Sequence, residues 1–207
     1  MNKPLRWSVA SVSVIVLSLL SYFFADRGAA LWFHAQEPGG WYDLFSLITY
    51  AGESQWYLIA GMVLFVWFRK SNPPKAALGL FLFSSVAVAG LLADLIKYLV
   101  GRARPSLYFS DNFYGFGFLR YDTEWISFPS GHSATAFGVA MVLALLYPRW
   151  RILVISTALL IAFSRLFLAR HYISDVLAGS FLGVASTVLL YNLHFKSRVN
   201  APQATKI

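Results

Sequence analysis

The sequence predicts an all-α, polytopic membrane protein with six membrane-spanning helices, and three observations support this fold class. First, 58% of the 207 residues are hydrophobic and 13% are charged, whereas an ordinary soluble domain carries about 25% charged residues. Second, the apolar residues form six runs of roughly the length that crosses a bilayer. Third, the basic residues are concentrated in alternate connections between these runs, as the positive-inside rule describes. The composition excludes a disordered chain, a soluble coiled coil and a conventional water-soluble enzyme.

The six apolar runs are the predicted spanning helices, since crossing the hydrocarbon core takes about 20 mostly apolar residues. The second run is short, and we expect its helix to extend back to Glu53 or Ser54. The first run follows Lys3 and Arg6 as a signal peptide would, but it is long and lacks a small-x-small cleavage site, so we expect a retained anchor. The runs are Trp7–Ala25, Gln55–Phe68, Ala76–Val100, Gly131–Tyr147, Ile152–Leu168 and Val176–Leu193.

The distribution of charge predicts that both termini are cytoplasmic. The N-terminus, the second and fourth connections and the tail hold no acidic residue, whereas the rest of the chain holds all nine acidic residues. Basic residues mark the cytoplasmic side, and termini on one side require an even number of spans, which agrees with six. The basic residues of the cytoplasmic set are Lys3, Arg6, Arg69, Lys70, Lys75, Arg149, Arg151, Lys196, Arg198 and Lys206.

Two segments on the outer side are unusually rich in aromatic residues. Asp26–Gly52 is too polar to span, and its pattern predicts one or two short helices lying in the outer interface; an ordinary aromatic belt is the alternative. The loop Ser106–Phe128 is so aromatic that we do not expect it to lie free in water. On the sixth helix, Gly179-x-x-x-Gly183 predicts close helix packing.

Polar and ionisable residues gather at the outer ends of the third to sixth helices. Each ionisable group at mid-span costs about 2.5–3.5 kcal/mol on insertion scales, so such a cluster needs a reason. Its members are Lys97 and Arg104 after the third helix, Ser130, Gly131 and His132 at the start of the fourth, Arg165 near the end of the fifth, and His171 and Asp175 around the start of the sixth.

These residue types fit an anionic ligand. Lys97, Arg104 and Arg165 are cations in an apolar setting, and arginine forks match the oxygens of a phosphate group. Ser130 and Gly131 at the start of a helix offer free backbone N–H groups and the positive end of the helix dipole. The sequence therefore predicts a phosphate-binding cradle.

The histidines supply the chemistry. His171 and Asp175 are four residues apart, so on one helical face the carboxylate can accept from one imidazole nitrogen and leave the other free as base or nucleophile. His132 is a second imidazole, available as a proton donor. Together with the cradle, these residues predict phosphoryl transfer through a phosphohistidine.

The same residues form three motifs that resemble those of the type-2 phosphatidate phosphatase superfamily. That family includes lipid phosphate, undecaprenyl diphosphate, phosphatidylglycerophosphate and lipid A phosphatases, and the soluble vanadium haloperoxidases, which this composition excludes. The resemblance is close over residues 97–175. The motifs are Lys97-x6-Arg104-Pro105, Pro129-Ser130-Gly131-His132 and Ser164-Arg165-x5-His171-x3-Asp175.

The resemblance implies a role for each motif residue and no metal or other cofactor. The implied catalytic residues are His171 as the phosphorylated nucleophile, Asp175 as its orienting partner, and His132 as the acid that protonates the leaving oxygen. The implied phosphate-binding residues are Lys97, Arg104, Ser130, Gly131 and Arg165.

Simpler structural roles are open for some of these residues. Lys97 can pair with Asp94, three residues earlier on the same helix. Arg165 and Asp175 can form a structural ion pair between the fifth and sixth helices. Arg102 lies beside the motifs and is not predicted as a site residue.

The resemblance and the topology together imply a single integral-membrane domain over residues 1–207, in the inner membrane of a bacterium, with its active site facing the periplasm. It would hydrolyse a lipid phosphate or diphosphate from the outer leaflet. Undecaprenyl diphosphate, phosphatidylglycerophosphate and lipid A phosphate are all open as substrates, as is the oligomeric state. A lipid phosphotransferase with the same phosphohistidine is the alternative. An anion transporter is disfavoured because the charges lie on one face and no repeat is visible, and nucleic acid is not an expected partner because the basic excess follows the topology.

Overall fold

The computed structural model describes residues 3–37 and 39–199, and these residues form helices and connections without a β-strand. The α-helices in this part of the chain are α1 Lys3–Phe24, α2 Asp26–His34, α3 Gly40–Tyr50, α4 Ser54–Phe68, α5 Pro73–Val100, α6 Pro105–Asp111, α7 Gly131–Leu146, α8 Arg151–Phe167, α9 Ile173–Leu190 and α10 Lys196–Val199. Short 3₁₀ turns lie at Thr123–Trp125 and Pro148–Trp150, and a π-helical turn at Tyr191–Phe195 joins α9 to α10.

Each of the six predicted apolar runs is helical, but four helical segments are long and apolar enough to cross a membrane: Trp7–Phe24, Pro73–Val100, Pro148–Phe167 and Ile173–Val199. The other two predicted spans, α4 and α7, have 15 and 16 residues. At 1.5 Å per residue they reach roughly 22–24 Å, less than the ~30 Å hydrocarbon core. The structure thus supports a polytopic membrane protein with four such helices, and the count of six stays a prediction.

The ends of α5 place the residues that follow it. Asn72 caps its N-terminus, with its side chain accepting a hydrogen bond from the Lys75 backbone N–H at 3.1 Å, and Pro73 occupies a first-turn position that needs no N–H donor. Gly101 ends the helix in the left-handed conformation, with φ 54°, and its N–H bonds the Lys97 carbonyl at 2.8 Å. This reversal turns the chain so that Arg102 enters the interior directly after the helix.

Helix α7 lies at the centre of the bundle, against α5, α8 and α9. Its contact with α9 is a backbone contact, because Gly179 and Gly183 present no side chain there. A methyl group on Gly183 would overlap the Ala134 carbonyl and lie 2.9 Å from the Gly138 nitrogen, and one on Gly179 would overlap the Ser130 carbonyl. The close packing predicted from the Gly-x-x-x-Gly pattern is present.

The two aromatic segments are partly helical. The predicted interfacial segment contains two short helices, α2 and α3, and both pack against α8. Rings hold this contact, since Phe45 lies 5.5 Å from Phe163 and 4.3 Å from Phe167 between ring centroids. The predicted outer loop begins with α6, a helix that the sequence analysis did not anticipate. Tyr114, which follows α6 in this loop, stacks on Tyr22 of α1 with the two ring centroids 4.7 Å apart.

Replacing Gly183 with alanine should destabilise the bundle, because backbone atoms of α7 cannot move aside as a side chain can. Overpacking of this kind costs about 1–3 kcal/mol, and we expect a lower Tm of the detergent-solubilised protein. Gly90→Ala is the matched control, since no atom lies within 4 Å of the added methyl and alanine is the better helix former. Equal Tm values for the two variants would contradict the backbone contact.

Candidate active site

The predicted site residues come together where four helix ends meet. The C-terminal ends of α5 and α8 and the N-terminal ends of α7 and α9 lie at the same end of the bundle. Two contacts join the chain at the start of α7 to the chain at the start of α9: the Ser130 N–H bonds the Asp175 carbonyl at 3.0 Å, and the His171 ring bonds the Ser127 carbonyl at 2.8 Å. Residues far apart in sequence therefore share one small volume.

His171 is almost fully buried, at 4% exposure, in the turn before α9. Its Nδ1 lies 2.8 Å from the Ser127 carbonyl oxygen, which can only accept, so Nδ1 carries the proton and Nε2 is left with its lone pair. Burial, followed by the positive charges of Arg165, Arg104 and Lys97, lowers the pKa of His171 well below its usual range. The ring is thus a neutral imidazole with a free Nε2.

The contact of His171 with Asp175 differs in detail from the sequence prediction. Because α9 begins at Ile173, His171 precedes the helix and the two residues do not share a helical face. Asp175 Oδ2 lies 3.5 Å from His171 Nδ1, whereas the hydrogen bond of that nitrogen goes to the Ser127 carbonyl. The Ser127 hydroxyl in turn donates to Asp175 Oδ2 at 2.6 Å. Ser127, which sequence reasoning missed, therefore bridges the predicted pair.

The three predicted cations surround the ring. Lys97 Nζ lies 3.0 Å from Asp94 Oδ1, so the pairing considered above is present, and the same ammonium lies 3.2 Å from the position of a methyl on Gly131. Arg104 and Arg165 each have a buried Nε without a protein partner in the described part of the chain. Burial lowers the pKa of Arg104, although Glu124 opposes the shift. An anion placed here would meet unpaired guanidinium donors.

Ser130 and Gly131 form the start of α7. Ser130 is fully buried and is the N-cap; its Oγ accepts from the Ser133 hydroxyl at 2.9 Å and from the Ser133 backbone N–H at 3.4 Å. Gly131 is the first helical residue, so its backbone N–H has no partner within the helix. The end of the helix dipole and the Lys97 ammonium therefore meet at one point.

His132, on the first turn of α7, lies within electrostatic range of His171 and all three cations. Gly52, at the end of the α3 segment, packs directly on its ring: a methyl on Gly52 would lie 2.9 Å from the His132 Cδ2 atom. A larger residue at position 52 would displace the ring. The predicted acid is thus held by a residue outside the three motifs.

Three more contacts were not predicted, and each joins the site to a distant part of the chain. Arg165 Nη1 donates to Thr49 Oγ1 of α3 at 2.7 Å. Arg102 is 1% exposed and forms ion pairs with Asp26 and Asp175, so the alternative pairing of Asp175 with Arg165 is absent among the described residues. The one sequence signal for these contacts is Asp26 itself, a carboxylate placed directly after a long apolar helix.

The described residues include no group of three or more His, Asp or Glu side chains that could hold a metal ion, and the sequence contains no cysteine. The groups near His171 and His132 are instead the cations Lys97, Arg104 and Arg165 and the backbone N–H at the start of α7. This arrangement can bind a tetrahedral oxyanion and present an imidazole nitrogen to it.

Comparison with known proteins identifies relatives over most of the chain. The family model described as the PAP2 superfamily matches residues 78–198. A lipid A 1-phosphatase of Rhizobium etli is 33% identical over 200 residues, covering 87% of this chain and 82% of that protein. An undecaprenyl-diphosphatase of Sulfolobus acidocaldarius is 29% identical over 138 residues, covering 66% of this chain and 62% of that protein.

A solved structure has the same fold. The crystal structure of a transmembrane PAP2-type phosphatidylglycerolphosphate phosphatase from Bacillus subtilis matches with a TM-score of 0.65 and 23% sequence identity, over 87% of this chain and 94% of that chain. At this level of identity the likeness concerns the arrangement of helices.

Thr49→Val should weaken anion binding, because it removes the hydroxyl that accepts from Arg165 while keeping the shape of the side chain. A hydrogen bond to a charged group contributes about 1.5–3 kcal/mol, so we expect the affinity for vanadate to fall by about tenfold or more. Titration calorimetry on the purified protein measures this. Thr49→Ser should bind as the unchanged protein does, and so should Thr157→Val, whose hydroxyl bonds its own helix. Unchanged affinity of Thr49→Val would mean that Thr49 does not position Arg165.

Proposed function

The chain belongs to the PAP2 superfamily, and we propose on this premise that it is an integral-membrane lipid phosphatase that works through a phosphohistidine at His171. The observation that carries the proposal is the free Nε2 of a buried, neutral His171, surrounded by Lys97, Arg104 and Arg165. A nucleophile next to a cluster of cations fits attack on a phosphate group. The whole of residues 1–207 is taken as one domain in this proposal.

In the first step, Nε2 of His171 attacks phosphorus and the bond from phosphorus to the lipid oxygen breaks. His132 donates a proton to that oxygen, so the lipid leaves as an alcohol rather than as an alkoxide. The Nδ1–H of His171 stays bonded to the Ser127 carbonyl, which keeps the ring oriented as its positive charge develops. Lys97 and the two arginines neutralise the charge that builds up on the equatorial oxygens.

In the second step, a water molecule attacks the phosphohistidine. His132, now neutral, takes one proton of that water, and the bond between phosphorus and Nε2 breaks. Inorganic phosphate leaves and His171 returns to its starting state. Ser130 and the Gly131 N–H hold a phosphate oxygen in both steps, so the phosphorus keeps its position between the two histidines.

Lipid A 1-phosphate is the substrate that we propose, for two reasons. The Rhizobium etli relative that covers 87% of the chain carries the name lipid A 1-phosphatase. In addition, a polar cavity of about 180 Å³ adjoins Arg104 and offers Glu37, Tyr42 and Glu124, whose oxygens suit sugar hydroxyls. Undecaprenyl diphosphate has no hydroxyl-bearing headgroup to use this cavity.

We further propose that the site faces the outer side of a bacterial inner membrane and that α4 and α7 complete six spans. The charge distribution supports this orientation, since the connections assigned to the cytoplasm hold basic and no acidic residues. The packing of α4 along α5 and of α7 among α5, α8 and α9 supports the count, because these neighbours include helices long enough to span and local thinning of the bilayer can accommodate a shorter helix.

The purified protein should release phosphate from lipid A 1-phosphate with the highest kcat/KM among lipid A 1-phosphate, phosphatidylglycerophosphate and undecaprenyl diphosphate. We expect a preference of about tenfold, the value of one well-made hydrogen bond. Release should persist in a chelator, because the site presents cations where a metal ion needs carboxylates. The His171→Ala variant gives the background rate.

Faster release from undecaprenyl diphosphate would show that this lipid, and not lipid A 1-phosphate, is the preferred substrate. Release from none of the lipids would refute the proposed function.

The same measurement of phosphate release tests the orientation of the site. Spheroplasts given a short-chain analogue from outside should release phosphate without lysis, and a requirement for lysis would place the site on the cytoplasmic side.

The two histidines should differ in their dependence on the leaving group. His171→Ala should be inactive on every substrate, because the attacking atom is lost. His132→Ala should lose about 10²–10⁴-fold in kcat on a lipid alkyl phosphate and far less on an activated aryl phosphate, whose oxygen leaves without a proton. The comparison uses kcat at saturating substrate, which separates chemistry from binding. Equal losses on both substrates would show that His132 is not the leaving-group acid.

A further inference from the structure

We propose that Asp26 and Arg102 are positioning residues for His171 and act on it through Asp175: Arg102 holds the Asp175 carboxylate, and Asp26 cancels the charge of Arg102. The inference rests on the proposed role of His171 as the nucleophile. Arg102 occupies one of the unspecified positions of the first motif, Lys97-x6-Arg104, and Asp26 belongs to none of the motifs. Asp26 also lies outside the range that the family model matches, residues 78–198.

The first part of the argument is the burial of the three charges. Asp26 and Asp175 are both 0% exposed, and Arg102, which lies between them, is 1% exposed. The terminal nitrogen Nη2 of Arg102 bonds Asp26 Oδ2 at 2.8 Å, and the other terminal nitrogen, Nη1, bonds Asp175 Oδ1. Arg102 therefore joins the start of α2 to the start of α9.

Arg102 cannot serve as a phosphate ligand. Its guanidinium carbon lies within 6 Å of the centroids of four rings that separate it from solvent: Tyr22 at 5.1 Å, Tyr114 at 5.5 Å, Phe116 at 5.9 Å and Tyr172 at 4.5 Å. Such a cage favours a desolvated cation. Because both terminal nitrogens are committed to carboxylates, the role of Arg102 concerns Asp175 and not the substrate.

The contacts of Asp175 show what Arg102 achieves. With Oδ1 held by Arg102, Oδ2 is directed at the Ser127 hydroxyl at 2.6 Å, the Tyr172 backbone N–H at 2.9 Å and His171 Nδ1 at 3.5 Å. Rotation of the carboxylate would break all three contacts at once. Arg102 thus fixes the geometry around the Nδ1–H that orients the nucleophile.

Asp26 is needed for charge rather than for geometry at His171. Its carboxylate is anchored by the Ser21 hydroxyl at 2.6 Å and the Ser174 backbone N–H at 3.1 Å, in addition to Arg102. Arg102 and Asp175 alone would form a neutral pair. With Asp26 present, the cluster carries one net negative charge beside the ring of His171.

The sign of that charge matches the reaction. A ring that holds a phosphoryl group on Nε2 and a proton on Nδ1 is cationic, and a nearby negative charge stabilises it. The other charged or titratable groups that act on His171 are His132 and the cations Lys97, Arg104 and Arg165, which all oppose a positive ring. The Asp26–Arg102–Asp175 cluster therefore supplies the compensating charge.

The test compares Asp26→Asn, Asp26→Asn/Arg102→Gln and the control Asp43→Asn, which neutralises an exposed acid of the same segment. The full-length protein in detergent is given a radiolabelled short-chain lipid phosphate at pH 8. Formation of acid-labile phosphoprotein, kcat and KM are measured, together with Tm as a check on folding.

Asp26→Asn leaves the cluster neutral, so we expect the rate of phosphorylation and kcat to fall about 10–100-fold, with little change in KM. Loss of a hydrogen-bond partner behind a metal-binding histidine has an effect of this size. The double variant restores the net negative charge of the cluster, and the amide introduced by Arg102→Gln can still donate a hydrogen bond to Asp175 Oδ1. It should therefore be about fivefold faster than Asp26→Asn or more, within the range of coupling between neighbouring charges. Asp43→Asn should match the unchanged protein.

Two results would overturn the inference alone: phosphorylation of Asp26→Asn at the rate of the unchanged protein, or a double variant that is no faster than the single one. The latter would mean that Asp26 and Arg102 only tie helices together. Failure of the unchanged protein to form a phosphoprotein would instead refute the proposed function, and this inference with it, so the two failures are distinguishable.

Discussion

The site depends on the backbone contact between α7 and α9. Because Gly179 and Gly183 carry no side chains, the two helices approach until the Ser130 N–H bonds the Asp175 carbonyl at 3.0 Å. Both helix N-termini then lie close together, which concentrates their free N–H groups and dipole ends where we propose that an anion binds. With bulkier residues at these positions, His171, which directly precedes α9, and the proposed phosphate cradle at the start of α7 would separate.

Buried charges near His171 fall into two groups. In the first group, two carboxylates share the guanidinium of Arg102 in ion pairs. In the second group, Arg104 and Arg165 form no ion pair among the described residues, and each, like Arg102, keeps a buried Nε without a hydrogen-bond partner there. Unpaired donors in an apolar setting are costly, and a bound phosphate would remove that cost. Burial, followed by the charges of the nearby cations, keeps the imidazole neutral, and in the proposed reaction the carboxylate group stabilises its positive charge.

The segment between α1 and α4 is part of the site although it lies outside the range of the family model. Asp26 meets Arg102, Thr49 accepts from Arg165, and Gly52 packs on the ring of His132. Thr49 and Gly52 each contact a motif residue, and Asp26 pairs with Arg102, which in turn bonds the motif residue Asp175. In our proposal the motifs provide the reacting groups, and this segment holds them in place.

The sequence alone determined the apolar helices, the helix ends at which the polar residues gather, and the groups that we propose bind and attack a phosphate, because hydropathy and local spacing carry that information. It did not determine which helices are long enough to span, since α7 ended at 16 residues. Tertiary structure alone decided the partners of those groups. Asp26 and Arg102 are 76 residues apart, and Thr49 and Arg165 are 116 apart. No local pattern encodes such pairs, because they form only once the packing of α2 and α3 against the bundle has closed the intervening chain.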